Sequence, residues 1–292
     1  MPSFRYRIVD VFTEQPLEGN PLAVFPDASG IDDPTMQKVA KELNLSETTF
    51  VLPPTRPNCL ARVRIFTPYR EMLFAGHPTI GTSFVLLDEK AAPQGTERFT
   101  LDEKVGAVPI RVEQGARPRI WLTTPPIHWG KQYDRAVCAK ALALDTADLL
   151  DIAPQLLSAG NPNVFIALTD KNAVDRAWID SSGMATLREP GQEPICIFVF
   201  TPTPEGAYSR MFARDHGVIE DPATGSATGP LAAYMMRHHL ASTAAGTRFH
   251  SEQGTKMGRR SILYVQINGA QGAEGIEVGG YVTPLVDATM RL

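Results

Sequence analysis

The sequence predicts an α+β fold of two similar, pseudo-symmetric domains, each a curved, mostly antiparallel sheet around one central helix. Three observations carry this. Motifs of the first half recur in order in the second half, strand patterns outnumber helical ones, and one helix is lined with small residues. That helix holds Gly225, Ser226, Ala227, Gly229, Ala232 and Ala233, so it can lie close against surrounding sheet in the middle of its domain. Pro230 should kink or reset its first turns.

The elements follow in chain order. Phe4, Tyr6 and Ile8 alternate with Arg5 and Arg7, as in a half-buried strand. Asp33-Pro34 opens a helix with Met36, Val39, Ala40 and Leu43 on one face, Asp33 serving as N-cap. Ala61, Val63 and Ile65 alternate with Arg62 and Arg64, a second strand. Phe74-Ala75-Gly76-His77-Pro78-Thr79-Ile80-Gly81-Thr82 then runs into Phe84, Val85, Leu86 and Leu87, which read as a helix. Later strands are Val108 to Val112, Ile120 to Leu122, Ile262 to Ile267 and Ile276 to Val282. The proline pair in Thr123-Thr124-Pro125-Pro126 suits a linker. It sets the domains at residues 1–124 and 125–292, the last strand (276–292) being able to return to the first domain.

The repeat rests on three co-linear matches separated by about half the chain. His77-Pro78-Thr79-Ile80-Gly81-Thr82 aligns with Asp221-Pro222-Ala223-Thr224-Gly225-Ser226, Arg64-Ile65-Phe66 with Arg210-Met211-Phe212, and Gly19-Asn20-Pro21 with Gly160-Asn161-Pro162. A pseudo-twofold axis is expected to relate the halves.

Composition narrows the function. The 292 residues are 43% hydrophobic and 21% charged with a net charge of −4, an ordinary globular balance with no basic surface for nucleic acid or anionic membrane. The longest apolar runs, such as Ile195 to Phe200, are strand-sized, and the first residues lack the apolar core of a signal peptide. A cytoplasmic location is expected. Cys59, Cys138 and Cys196 are widely spaced, so they form neither a disulfide framework nor a zinc cage. His238-His239 has no third ligand at metal spacing. With no P-loop, no G-x-S-x-G and no G-x-G-x-x-G after a strand, no metal and no organic cofactor is expected.

A helix that begins at an ionisable residue and proline aims its free N–H groups and the positive end of its dipole forward. Two such starts, facing one cleft, would suit a carboxylate ligand. Asp33-Pro34 opens a helix in the same way without chemistry, so Asp221 also reads as a plain N-cap, whereas histidine is not a favoured cap. Glu47 stands where a helix gives way to an apolar strand. It reads either as a desolvated proton carrier or as a solvated loop glutamate.

Taken together, Gly19 to Val24, Leu45 to Val51, Phe74 to Thr82, Glu220 to Ala227, and Gln253-Gly254 with Met257-Gly258-Arg259 resemble the PhzF-like family of the diaminopimelate-epimerase-like fold. The resemblance spans nearly the whole chain. It implies an active site in the cleft between the domains, a homodimer, and an isomerase of the kind that acts on 2,3-dihydro-3-hydroxyanthranilate. Glu47 falls on the general acid/base. His77, Asp221 and Ser226 fall on groups that hold and polarise the substrate, and Gly76 and Gly225 present N–H groups to its carboxylate. Asn20 and Ser46 join the substrate-binding set. The related epimerases use two cysteines, and the matching stretches here have none. Leu73 and Arg214 stand where the family often has proline, flanking the expected cleft.

The expectation is therefore an isomerase moving a proton on a small carboxylated carbon acid through Glu47. The alternatives are an amino-acid racemase or epimerase of the same fold using oxygen acids, and a non-catalytic scaffold.

Overall fold

The computed structural model describes residues 1–188, 191, 194–269 and 275–292. The strands run β1 (Ser3–Val11), β2 (Asn20–Phe25), β3 (Glu47–Leu52), β4 (Ala61–Phe66), β5 (Glu71–Met72), β6 (Arg98–Glu103), β7 (Gly106–Glu113) and β8 (Arg119–Thr123). They continue through β9 (His128–Gln132), β10 (Gln155–Ser158), β11 (Pro162–Ala167), β12 (Cys196–Thr203), β13 (Gly206–Ala213), β14 (Val218–Asp221), β15 (Arg248–Gln253), β16 (Ser261–Ile267), β17 (Ile276–Gly280) and β18 (Val282–Arg291). The helices are α1 (Asp33–Leu43), α2 (Gly76–Asp88), α3 (Arg135–Ala141), α4 (Lys171–Arg176), α5 (Ser181–Leu187) and α6 (Gly225–Arg237). The chain divides into two compact units, one of Met1–Thr123 with Gly279–Leu292, the other of Thr124–Val278. No helix among the described residues is long and apolar enough to cross a membrane.

In the first unit β1 is flanked by β18 and β2, both antiparallel. β2 runs parallel to β3, and α1 makes the crossover that such a pair requires. β3 and β4 are antiparallel; beyond β4 lie β5, antiparallel, and β6, parallel, and the sheet closes with β7 and β8. One face carries α1 over Tyr6, Phe25, Phe50 and Phe66. Phe25 stacks on Tyr6 at 5.2 Å and on Phe50 at 5.0 Å. The N-cap of α1 is Asp32, which accepts from the Thr35 N–H at 2.8 Å, and not Asp33 as the proline suggested. A carboxylate reaches the third helical N–H only from the residue before the helix. Asp33 lies inside the first turn and pairs with Arg64.

The opposite face carries α2, buried over most of its length. A Cβ at Gly81 would sit 2.6 Å from Leu22 Cδ2 and 2.8 Å from Val11 Cγ2, so the helix rests on β1 and β2 at a distance only glycine permits.

The second unit repeats this plan. β9, β10 and β11 are antiparallel neighbours, β11 runs parallel to β12, β12 is antiparallel to β13, and β13 meets β14 antiparallel and β15 parallel before β16. Val164, Ile166, Ile197 and Val199 face α3, α4 and α5, while the alternating Phe165, Ala167, Phe198 and Phe200 face α6. α6 is buried along all but its last residue, as its small side chains require. It runs on through Pro230, which removes the N–H that would otherwise meet the Ser226 carbonyl.

The duplication reaches individual side chains. Arg64 on β4 lies over the Phe66 ring at 5.1 Å and donates to Glu71 on β5; Arg210 on β13 lies over Phe212 at 4.8 Å and donates to Glu220 on β14.

Candidate active site

The site in the first unit is built where β2, β3 and α2 begin. Asn20 opens β2, Glu47 opens β3 in register with Leu22, and His77 lies in the first turn of α2. Asn20 is fully buried, His77 is 4% exposed and Glu47 is half-buried. The Asn20 Nδ2 group stands 3.3 Å from His77 Nδ1. An amide nitrogen only donates, so Nδ1 accepts, and the imidazole proton belongs on Nε2. Burial pushes the His77 ring down to about 3, which keeps it neutral. Its Nε2 lies 3.3 Å from Glu47 Oε2 without the alignment of a hydrogen bond, so a buried donor stands beside Glu47 with no bond of its own. Ser46 is half-buried next to Glu47.

Both central helices begin the same way. α2 has Ala75 as N-cap; Gly76 and His77 then carry N–H groups with no intrahelical carbonyl, and Pro78 has none to satisfy. α6 has Thr224 as N-cap, and Gly225 and Ser226 stand in the same two places. Thr79 Oγ1 donates back to Ala75 O at 2.7 Å, and Thr228 Oγ1 donates to Thr224 O at 3.0 Å.

This corrects the sequence alignment. The counterpart of His77 is Ser226, not Asp221. Asp221 ends β14 opposite Met211, and Met72 ends β5 opposite Ile65, so Asp221 and Met72 hold equivalent places. The two prolines misled because their roles differ: Pro78 is the third residue of a helix, and Pro222 lies in the link between β14 and α6. Asp221 is not the cap of α6; its carboxylate accepts the Thr224 hydroxyl at 2.5 Å. Cys196 opens β12 opposite Asn163 as Glu47 opens β3 opposite Leu22, so a buried thiol occupies the second unit's equivalent of the carboxylate.

Thr79, Glu103 and Gln253 support the two helix starts, a role that their motifs did not reveal. Glu103 and Gln253 end β6 and β15, both buried beside a helix start. Gln253 Nε2 donates to the Asp221 carbonyl at 2.8 Å and to Thr224 Oγ1 at 2.9 Å. The signal was present, since Arg98-Phe99-Thr100-Leu101-Asp102-Glu103 repeats as Arg248-Phe249-His250-Ser251-Glu252-Gln253. Leu73 is exposed after β5, and Arg214 lies over the Trp178 ring at 4.4 Å. The described residues hold no group of three His, Cys, Asp or Glu placed for a metal ion.

Residues 9–288 match the family described as phenazine biosynthesis-like protein. The chain is 34% identical over 279 residues to a trans-2,3-dihydro-3-hydroxyanthranilate isomerase of Pseudomonas aeruginosa, covering 94% of this chain and 95% of that one. A structure from the same organism, described as a predicted epimerase, superposes with a TM-score of 0.83 at 33% identity over 99% of both chains. A Bacillus anthracis protein of the PhzF family shares the fold, with a TM-score of 0.86 at 22% identity over the whole of both chains. With its motifs, its duplicated α+β fold and these matches, the chain belongs to the phenazine biosynthesis-like family and is an isomerase.

Proposed function

We propose that the enzyme moves a proton within a small carboxylated carbon acid, of which trans-2,3-dihydro-3-hydroxyanthranilate, the compound in the relative's name, is the first to try. The observation that carries this is the neutral His77 imidazole, fixed by Asn20, whose Nε2 lies 3.3 Å from Glu47 Oε2. Glu47 as carboxylate takes a proton from a substrate carbon. The released electron pair shifts through the adjacent double bond, and the carboxylic acid, after its proton has exchanged with solvent, delivers a proton to another carbon, so atoms and electrons balance. His77 holds the substrate from the Nε2–H side, and the N–H groups of Gly76 and His77 suit its carboxylate. The family resemblance assigns Gly225, Ser226, Asp221, Asn20 and Ser46 to holding the substrate as well. It also implies a homodimer, for which a solution mass of twice the chain's 31.9 kDa is expected by light scattering, and the cytoplasm is the expected location.

The test is turnover of that acid in deuterated water. Solvent deuterium is expected in the product at the carbon that receives the proton, and Glu47→Gln is expected to lose about a hundredfold or more in rate while keeping its melting temperature. Full activity in that variant would overturn the assignment. A second possibility is racemisation of an amino or hydroxy acid, favoured by the structural relative described as a predicted epimerase. It would give loss of optical rotation without a constitutional isomer.

A further inference from the structure

Glu103 is 1% exposed, and neither the proton transfer nor substrate binding uses it. Its Oε1 lies 2.7 Å from Thr79 Oγ1, which also lies 2.7 Å from the Ala75 carbonyl. Thr79 has one hydroxyl hydrogen, and the carbonyl has none to offer. If that hydrogen goes to Ala75, as the equivalent Thr228 hydrogen goes to Thr224, the second short contact needs a hydrogen from Glu103. An ionised carboxylate cannot supply it.

The other half of the chain gives independent support. At the equivalent end of β15 stands Gln253, a neutral group of nearly the same shape, which donates to the hydroxyl of the residue capping α6. The repeat has thus placed an amide where the first unit has a carboxyl.

We propose that Glu103 is a positioning residue acting as a neutral acid, donating its carboxyl proton to Thr79 Oγ1 and so fixing the first turn of α2, which carries Gly76 and His77. Burial pushes Glu103 up to about 8, and the Thr79 hydroxyl opposes this more weakly. The charged groups on the surrounding elements are engaged elsewhere. Arg56 donates to Asp102 and to the Glu103 main-chain carbonyl, and Arg64 and Lys104 pair with Glu71. Arg62 acts on Asp33, and His77 in the same turn of α2 is neutral. Once Glu103 ionises, one hydrogen must serve two acceptors, and one of the two contacts opens.

This rests on the proposed function only in giving Gly76 and His77 their importance, and the first two measurements need no substrate. Infrared difference spectra of wild type against Glu103→Gln at neutral pH are expected to show the carbonyl stretch of a protonated carboxylic acid in wild type only, fading as the pH rises through about 8. Identical spectra would overturn the proposal. The melting temperature of wild type should fall behind that of Glu103→Gln as pH rises from about 5 to about 9, because the unfolded carboxyl ionises first; a constant gap would overturn it. If Glu103→Gln does not fold, Thr79→Val serves. It removes the acceptor, so the wild-type carbonyl band must shift in frequency, and an unmoved band counts against the bond.

With trans-2,3-dihydro-3-hydroxyanthranilate, Glu103→Gln should move the alkaline limb of the rate profile upward, and an unchanged limb would exclude the positioning role. Should wild type not turn over that acid, the proposed function fails while the spectra and melting curves still decide the state of Glu103.

Discussion

Asn20 and His77, far apart in sequence, meet with Nδ2 3.3 Å from Nδ1 in a fully buried contact. The amide selects the imidazole tautomer that carries its proton on Nε2, the ring nitrogen beside Glu47. Asn20→Ala should release that choice. Nitrogen-15 spectra are expected to show the Nε2–H form alone in wild type and a mixture in the variant. A hydrogen bond of this kind contributes about 1 kcal/mol, so turnover should fall about fivefold.

The buried neutral ring also sets an acid limit on stability. Burial holds His77 at about 3, below its ordinary value, so between about 6.5 and about 3 the unfolded chain binds a proton that the folded chain refuses. Stability is therefore lost as pH falls through that window, with a slope of at most about 1.4 kcal/mol per pH unit from this residue. Urea titrations at a series of pH values should give a shallower slope for His77→Gln.

Arg210 is a buried centre of polar contacts in the second unit. It is 4% exposed, reaches both oxygens of Glu220 at 2.9 Å, and donates to the carbonyls of Val174, Asp175 and Ala177. Arg210→Met should cost about 3–5 kcal/mol by denaturant unfolding, since it strands Glu220 and three carbonyls. Lysine should not restore the loss, because one ammonium cannot reproduce the planar fork.

Much of this was legible before the structure. Arg64 and Arg210, with their phenylalanines two residues on, mark the same strand twice, and the small residues of α6 announced a helix enclosed by sheet. Register was not legible. Proline is a conspicuous letter, and aligning Pro78 with Pro222 displaced the match between helix starts, although Gly76 and Gly225 share the first helical position. Proline satisfies similar local rules inside a first turn and in a connecting link, so only strand pairing separates the two. The tie between Asn20 and His77 was hidden for a different reason. It depends on β2 and α2 lying together, and no local pattern in either segment encodes that.

The last strand carries a consequence for how the molecule is made. β18 pairs with β1 along its whole length, from Ser3 opposite Arg291 to Val11 opposite Val282. The first unit therefore cannot complete its sheet until the ribosome has passed the second. During synthesis β1 waits with an open edge while the later half is made. The half that begins first is finished last, and the interval is the time at which a nascent chain is most exposed to wrong strand partners.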